Sequence, residues 1–150
     1  AHVSDRLGSR VELMNLKHGI FDEATVSVIN LATIAGIGRE AGLDLDRRRF
    51  RANILIETEQ AEPFLEDGWV GGRLIFGDVG SRAALSVTLR DLRCVMIKLD
   101  PETCEKDPRV VKTVTRLNEN HAGVYAAVVR TGTIRVGDRV SFAADVSGLR

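Results

Sequence analysis

Hydrophobic and polar residues alternate along several short runs of the chain, and this alternation predicts β-strands. The clearest run is "TVSVIN" (Thr25–Asn30), which is rich in β-branched residues. In "RFRANILIETE" a charged start leads into Ile54 and Ile56, which share one face of a predicted strand. Further apolar runs are "GRLIFGD", "AALSVTLRDL", "CVMIKLD", "GVYAAVVRTG" and "TIRVGDRVSF". We expect the last two to be strands joined by a turn at Thr131-Gly132.

Two segments carry helical rather than alternating spacing. The first begins at Asn30, a favoured N-cap residue, and ends at Gly42, a favoured C-terminal residue. The second begins at Asp107-Pro108, a favoured cap and first-turn pair. Their apolar sides are Leu31, Ile34, Ile37 and Ala41 in the first helix and Val110, Val111, Val114 and Leu117 in the second.

Strands therefore outnumber helices, and the order shows no regular strand–helix–strand rhythm. This pattern favours a mainly antiparallel sheet or barrel over a doubly wound parallel sheet. A chain of 150 residues is long enough to bury a core of its own. We predict one domain over 1–150 with a mainly β, barrel-like fold and a few peripheral helices.

Composition narrows the classes of partner. The chain carries 21 basic and 21 acidic residues, so no global field attracts nucleic acid or a membrane surface. No apolar run approaches the roughly 18 residues needed to span a bilayer, and no signal peptide is visible. Two cysteines are too few for a secreted disulfide framework, which favours a reducing, cytoplasmic setting.

The two cysteines lie in different chemical surroundings. Cys94 follows Arg93, and Arg90 lies four positions before it, so nearby guanidinium groups favour a thiolate that can act as a nucleophile or a soft metal ligand. The alternative is a small buried side chain in a strand. Cys104 lies between Glu102 and Glu105, and we expect an exposed residue without a role. Neither a disulfide nor a zinc site is supported, because the spacing is wrong and the three histidines are scattered: His2, His18 and His121.

The segment "DRRRFRAN" (46–53) concentrates four arginines within five residues. One interpretation is a solvated charge run. The other is an anion site, because Arg49, Arg51 and Asn53 would share one face of a strand that begins here. Two guanidinium groups and an amide suit a phosphate. Few aromatic residues accompany the arginines, which disfavours a nucleic-acid surface.

The segment "EPFLEDGWVGGRL" (62–74) offers Glu66 and Asp67 beside the single tryptophan. Paired acids could serve acid/base catalysis. The alternative is a glycine-rich turn in which Phe64 and Trp69 pack onto the barrel. His121 could donate a proton from a loop or could simply be solvated.

Four blocks in this order closely resemble the MOSC domain, which is found in molybdenum cofactor sulfurases and amidoxime-reducing proteins. The blocks are "DLDRRRFRANILIE", "FLEDGWVGGRLIFGD", "LRCVMIKLDPET" and "GVYAAVVRTGTIRVGDRV". The resemblance spans roughly residues 25–142 and implies a β-barrel-like domain with peripheral helices. Ala52 stands where the family often has proline, and Asp91 stands where many members have a second cysteine.

The resemblance implies a molybdenum cofactor (molybdopterin) with Cys94 as the metal ligand and catalytic residue. It also implies that Arg51 and Asn53 hold the pterin and its phosphate, and Arg93 matches the arginine beside the metal-binding cysteine. With Arg49 from the anion face, these residues are the cofactor-binding candidates. Pyridoxal phosphate is a second cofactor that membership of the family would imply. Cofactor-binding members carry an N-terminal barrel domain that contributes basic contacts to the cofactor. Two alternatives follow for this chain: either that upstream segment has been cut away, or the chain is a compact form of the family.

Two functions remain open from the sequence. In the first, the resemblance implies reduction of a small N-hydroxylated substrate with electrons from a redox partner protein, or sulfur or cofactor handling. In the second, the domain binds an anion or accepts sulfur from a sulfur donor as a persulfide on Cys94, without resident metal.

Overall fold

The computed structural model describes residues 25–77 and 83–144, and within them the chain forms one six-stranded sheet with two α-helices. The sheet is curled into a half-barrel, which confirms the predicted fold class. The elements are β1 Val26–Asn30, α1 Leu31–Ala41, β2 Ile54–Ile56, β3 Arg73–Phe76, β4 Ala84–Leu92, α2 Pro108–Asn118, β5 His121–Arg130 and β6 Val140–Ala143. Among the residues used in the sequence predictions, His2, His18 and the last residue of the run "GRLIFGD" lie outside the described residues.

The strand order is β2-β1-β5-β4-β3-β6. Every neighbouring pair is antiparallel except β1 and β2, which are parallel and connected through α1. The mainly antiparallel prediction is therefore confirmed. The helical connection explains the exception, because parallel strands need a crossover between them.

Both helices begin at the predicted residues, and α1 also ends at the predicted Gly42. The Asn30 side chain accepts a hydrogen bond from the Ala32 N–H at 3.1 Å, and Gly42 ends α1 with φ 66°. Asp107 accepts from the Arg109 N–H at 3.0 Å at the start of α2. These side chains satisfy backbone donors that an α-helix leaves open, so local chemistry sets these boundaries.

Two predicted strands have another structure. The run "CVMIKLD" contains a 3-10 turn over Val95–Lys98, with Ile97 buried and Val95 and Met96 exposed. A short apolar run cannot by itself distinguish a strand from a helical turn. The segment 131–139 is irregular, so the predicted pairing of two strands across Thr131-Gly132 is wrong: β6 pairs with β3 instead of β5. The tight turn lies at Gly137, with φ 90°, where Asp138 accepts from the Arg135 N–H at 2.7 Å.

Two hydrophobic clusters lie on the sheet. The sheet cluster comprises Val28, Ile56, Trp69, Leu74, Phe76, Ala83, Leu85, Val87, Val124 and Ala126. The helix-side cluster comprises Ile29, Ile34, Ile37, Phe50, Ile97, Val110, Val114 and Ala122. Strand β1 feeds both, because Val28 and Ile29 point to opposite faces.

Strand β5 changes face within a bulge. Arg90 is paired with Val124 and Leu92 with His121, so β5 contains one more residue than β4 across this step. Gly123 sits there with φ 86°, a conformation that glycine adopts without steric cost. As a result Ala122 joins the helix-side cluster while Val124 joins the sheet cluster.

Candidate functional site

Cys94 lies two residues after the end of β4 and immediately before the Val95–Lys98 turn. Its side chain is exposed, as is that of Cys104, and both thiols are free. The alternative of a buried structural Cys94 is therefore wrong. Cys104 lies in a turn with φ 61°, and its exposure confirms the prediction.

The arginine-rich segment is a turn rather than the start of a strand. Arg47–Phe50 form a 3-10 helix capped by Asp46, which accepts from the Arg48 N–H at 2.8 Å. Arg51 follows with φ 51°, so the backbone does not extend until β2. The prediction that Arg49, Arg51 and Asn53 share one strand face is wrong. The local reason is the Asp46 side chain, which accepts a hydrogen bond from the backbone and thereby favours a turn over the hydrogen bonding of a β-sheet.

Two arginines of this turn, Arg48 and Arg49, are bonded to neighbouring residues. Arg49 is 10% exposed; its guanidinium pairs with Asp100 at 2.7 Å and donates to the Lys98 carbonyl at 3.1 Å. Arg48 is paired with Asp46 and Glu102, both at 2.6 Å. The hydrogen bonds from Arg48 lower the pKa of Asp46 to about 2. Both arginines therefore tie the turn to its neighbours.

Arg51 and Asn53 are exposed. Within the described ranges, 25–77 and 83–144, the Arg51 guanidinium makes no hydrogen bond or ion pair. The Asn53 Oδ1 accepts from the Ser27 N–H at 2.8 Å, which fixes the amide and leaves its NH2 group at the surface. One cation and one oriented amide donor can therefore reach an anion in solution.

Arg93 has the opposite placement. Its side chain is 7% exposed, and its Nε and Nη1 donate to the carbonyls of Ala122 and Phe50 at 2.6 and 2.8 Å. Its Nη2 forms an ion pair with Asp91 at 3.0 Å. Burial lowers the pKa of Arg93, and the charge of Asp91 opposes that shift.

Asp91 connects the two sequence blocks that carry the site. Its carboxylate accepts from the Ser27 hydroxyl at 2.8 Å and pairs with Arg93. Ser27 in turn holds Asn53, through Ser27 N–H to Asn53 Oδ1 and Asn53 N–H to the Ser27 carbonyl at 2.9 Å. The "RFRAN" and "DLRC" segments, 38 positions apart at their closest residues in this chain of bonds (Asn53 and Asp91), therefore form one hydrogen-bonded unit.

A shallow groove of about 500 Å³ lies beside the end of β4. Arg90 is ion-paired there with Asp67 at 2.9 Å and with Glu119 at 3.2 Å. His121 is the first residue of β5 and is half-buried, so its prediction as a loop residue is wrong. Val70, Leu89 and Leu92 form the apolar rim.

The segment around the tryptophan packs as the second interpretation of it predicted. Trp69 is buried in the sheet cluster, and Phe64 packs against the helix-side cluster. Glu66 is fully buried and accepts from the Thr33 hydroxyl at 2.8 Å and the Asn30 N–H at 3.3 Å. Asp67 instead pairs with Arg90, so the two acids do not act together.

Three residues of this region were not predicted in their actual role: Ser27, Glu66 and Asp91. All three are buried polar side chains. Ser27 lies between two valines in a predicted strand, and a polar residue at such a position is the signal that could have marked it. Asp91 follows Arg90, so no comparable pattern marks it. Apart from the ion pair of Asp91 with Arg93, the side-chain partners cited for these residues lie 26 to 64 positions away, which no local pattern reveals.

The curled sheet with two helices agrees with the comparisons. A model of the MOSC domain matches residues 15–141, and the chain therefore belongs to the MOSC domain family. No curated protein matches the sequence.

Two solved structures share the fold. YuaD from Bacillus subtilis is 21% identical with a TM-score of 0.61, over 81% of this chain and 64% of that one. YiiM from Geobacillus stearothermophilus is 15% identical with a TM-score of 0.60, over 83% of this chain and 57% of that one. The chain thus spans less than two thirds of the length of either neighbour. Among the residues that the structure describes, no helix has the length and apolar character needed to cross a membrane.

Proposed function

We propose that this MOSC domain holds a molybdenum cofactor, with the Cys94 thiolate as the ligand to the metal. The observation that carries the proposal is the contrast between exposed and buried residues of one hydrogen-bonded unit. Cys94, Arg51 and Asn53 face solvent, whereas Arg49 and Arg93 are turned inward and bonded.

The exposed residues fit the chemistry of that cofactor. A thiolate suits a soft transition metal, and a guanidinium with an amide N–H suits a phosphate. Arg51 would pair with the phosphate and Asn53 would donate to it, since its Oδ1 is already fixed by Ser27. Nowhere in the described ranges, including around Cys94, is a group of three His, Cys, Asp or Glu side chains arranged for a metal ion. When bound, the molybdenum cofactor would supply the redox chemistry.

The reaction we propose is reduction of a small N-hydroxylated compound, with electrons from a redox partner protein in a reducing, cytoplasmic setting. Handling of sulfur or of the cofactor itself is the related possibility within the same site. In each case Cys94 would hold the reactive centre and Arg51 and Asn53 would orient it, while Arg49 and Arg93 support the segments on which these residues lie.

Molybdenum content tests this proposal. The protein is purified from a host that makes the cofactor, and molybdenum is measured by elemental analysis beside pterin fluorescence after oxidation. Cys94→Ser should lose at least about tenfold in metal content, because oxygen is a poor substitute for the thiolate with a soft metal. Cys104→Ser is the matched control and should retain it. Equal metal in both variants, or none in the wild type, would contradict the proposal.

A second candidate is a persulfide carrier, favoured by the exposure of Cys94 among exposed apolar neighbours: Leu92, Val95 and Met96. The Cys94 thiolate would attack the terminal sulfur of a donor persulfide. A new S–S bond would form on Cys94, the donor S–S bond would break, and the donor would leave as a thiolate. Mass spectrometry would then detect one added sulfur atom on Cys94 in protein without molybdenum, and addition confined to Cys104 would contradict this function.

A further inference from the structure

We infer that Asp91 and Arg93 form a brace that fixes the position of Cys94 relative to Arg51 and Asn53, so that Arg93 is a positioning residue rather than a ligand contact. The identity of what the two halves bind rests on the proposed function. The brace itself is defined by the contacts of its own residues.

The Arg93 side chain joins three segments. Its Nε donates to the Ala122 carbonyl in the β5 bulge, and its Nη1 donates to the Phe50 carbonyl, which belongs to the peptide bond preceding Arg51. Its guanidinium also lies 5.6 Å from the centre of the Phe50 ring. Arg93 and Cys94 are adjacent in the chain, so a single side chain spans the distance between the thiol segment and the Arg51 segment.

The backbone at Arg93 is held as well. The Arg93 N–H donates to the Asn120 carbonyl at 2.8 Å, and the Asn120 side chain donates to the Arg93 carbonyl at 2.6 Å. The second of these bonds lies at the peptide that leads into Cys94. The position of Cys94 is therefore set from both the side chain and the backbone of the preceding residue.

The second arm of the brace runs through Asp91. Asp91 neutralises the buried guanidinium and accepts from Ser27, and Ser27 orients the Asn53 amide. Gly123 leaves space for this arrangement, since a Cβ at that position would lie 3.0 Å from Arg93 Nη2 and 2.7 Å from the Val28 carbonyl. Because residue 123 has no side chain and lies in the bulge, the Arg93 guanidinium has room beside the sheet.

Lysine cannot replace arginine in this role. Its single ammonium group cannot donate to two carbonyls and pair with Asp91 in the fixed geometry of a guanidinium. Arg93→Lys keeps the positive charge and removes the planar set of N–H donors. Asp91→Asn keeps the size and the acceptor for Ser27 and removes the charge, which leaves the buried guanidinium uncompensated.

The test measures position without any cofactor. A nitroxide is attached to Cys94 in a Cys104→Ser background, and paramagnetic relaxation is recorded at the Arg51 backbone amide and the Asn53 side-chain amide. The Ile97 amide, in the turn that follows Cys94, serves as the internal reference. In Arg93→Lys the relaxation at residues 51 and 53 relative to Ile97 should change by about twofold or more, because the two segments can then open locally.

Arg90→Lys is the matched control. Arg90 lies three positions before Arg93, in β4, and also makes ion pairs, but its partners are Asp67, Glu119 and Asn118 rather than the segments of the brace. A structural effect of losing any arginine of this region would alter both variants alike. The brace predicts a changed relaxation ratio for Arg93→Lys and an unchanged ratio for Arg90→Lys.

Unchanged relaxation in a folded Arg93→Lys protein would overturn the inference. If that variant does not fold, Asp91→Asn carries the same readout and the same decision. The outcome is independent of molybdenum. A changed relaxation ratio in Arg93→Lys, with no metal bound to the wild type, would support the brace and contradict the proposed cofactor. Bound metal with an unchanged ratio would support the cofactor and contradict the brace.

Discussion

At residue 66 the chain places a carboxylate in its core. Glu66 is fully buried, and burial raises its pKa, while hydrogen bonds from Thr33 and Asn30 partly oppose this shift. The folded protein therefore binds a proton at Glu66 more readily than the unfolded chain. Stabilisation from that proton is complete below the unfolded pKa of about 4.3 and is lost as the pH rises through the folded value.

Glu66→Gln should remove this dependence. The free energy of unfolding of the variant, relative to wild type, should rise with pH above about 4.3, with a slope of at most about 1.4 kcal/mol per pH unit while Glu66 titrates. Urea unfolding across this range measures the difference. Glu62→Gln, the same change at an exposed side chain, is the control and should show no such slope. A constant difference for Glu66→Gln at all pH values would show that burial does not raise the pKa of Glu66.

At the scale of elements, the β5 bulge matters most for the site. Gly123 combines a positive φ with close packing, since a Cβ would approach the Val28 carbonyl to 2.7 Å. Gly71 has the same φ of 86°, but a Cβ added there would meet open space, with no neighbouring atom within 4 Å. The two glycines therefore separate the cost of backbone conformation from the cost of crowding.

Gly71→Ala should cost about 1–2 kcal/mol of stability from the left-handed conformation alone. Gly123→Ala should cost at least about 2 kcal/mol more, because its Cβ meets backbone that cannot move without shifting β1. Urea unfolding of both variants gives the comparison. Equal losses would mean that the bulge accommodates a side chain and that the space beside Arg93 is not required.

Other elements show which parts of the structure depend on local residues and which depend on tertiary contacts. Asn30, Gly42 and Asp107 act as the sequence predicts, because capping depends on residues within a few positions. The Arg47–Phe50 and Val95–Lys98 turns were not predicted. They are held together by Arg49, which bonds to Lys98 and Asp100 some 50 positions away. A run of apolar or charged residues does not contain that information.

At the scale of the whole molecule, the two hydrophobic clusters share strands. Val28 and Val124 lie in the sheet cluster, whereas Ile29 and Ala122, one and two positions from them in the same strands, lie in the helix-side cluster. Loss of either cluster would expose strands that the other requires. The domain should therefore unfold as one cooperative unit.

Two signals can test this cooperativity. Fluorescence of Trp69, the single tryptophan, reports the sheet cluster, and far-ultraviolet circular dichroism reports the helices that pack on the other cluster. Their urea transitions should coincide in midpoint and slope. A helix signal lost at lower urea than the Trp69 signal would show that α1 and α2 detach before the sheet unfolds.

The amino-acid sequence was sufficient to predict the mainly β class, β1, the two helices with their caps, and the four blocks that mark the MOSC family. These depend on local periodicity, capping chemistry and residue types in order. It also predicted Cys94, Arg51 and Asn53 as site residues together with Arg49 and Arg93, without distinguishing among the arginines.

Which of these side chains face solvent depends on the folded chain and could not be predicted from the sequence. Arg51 and Arg93 are the same residue type, yet Arg51 is exposed and Arg93 is bonded to Phe50, Ala122 and Asp91. Two of those partners lie 29 and 43 positions from Arg93 and meet it only after the sheet has formed. A buried guanidinium is stable only where distant carbonyls and a carboxylate converge on it, and that convergence is a property of the fold rather than of any segment.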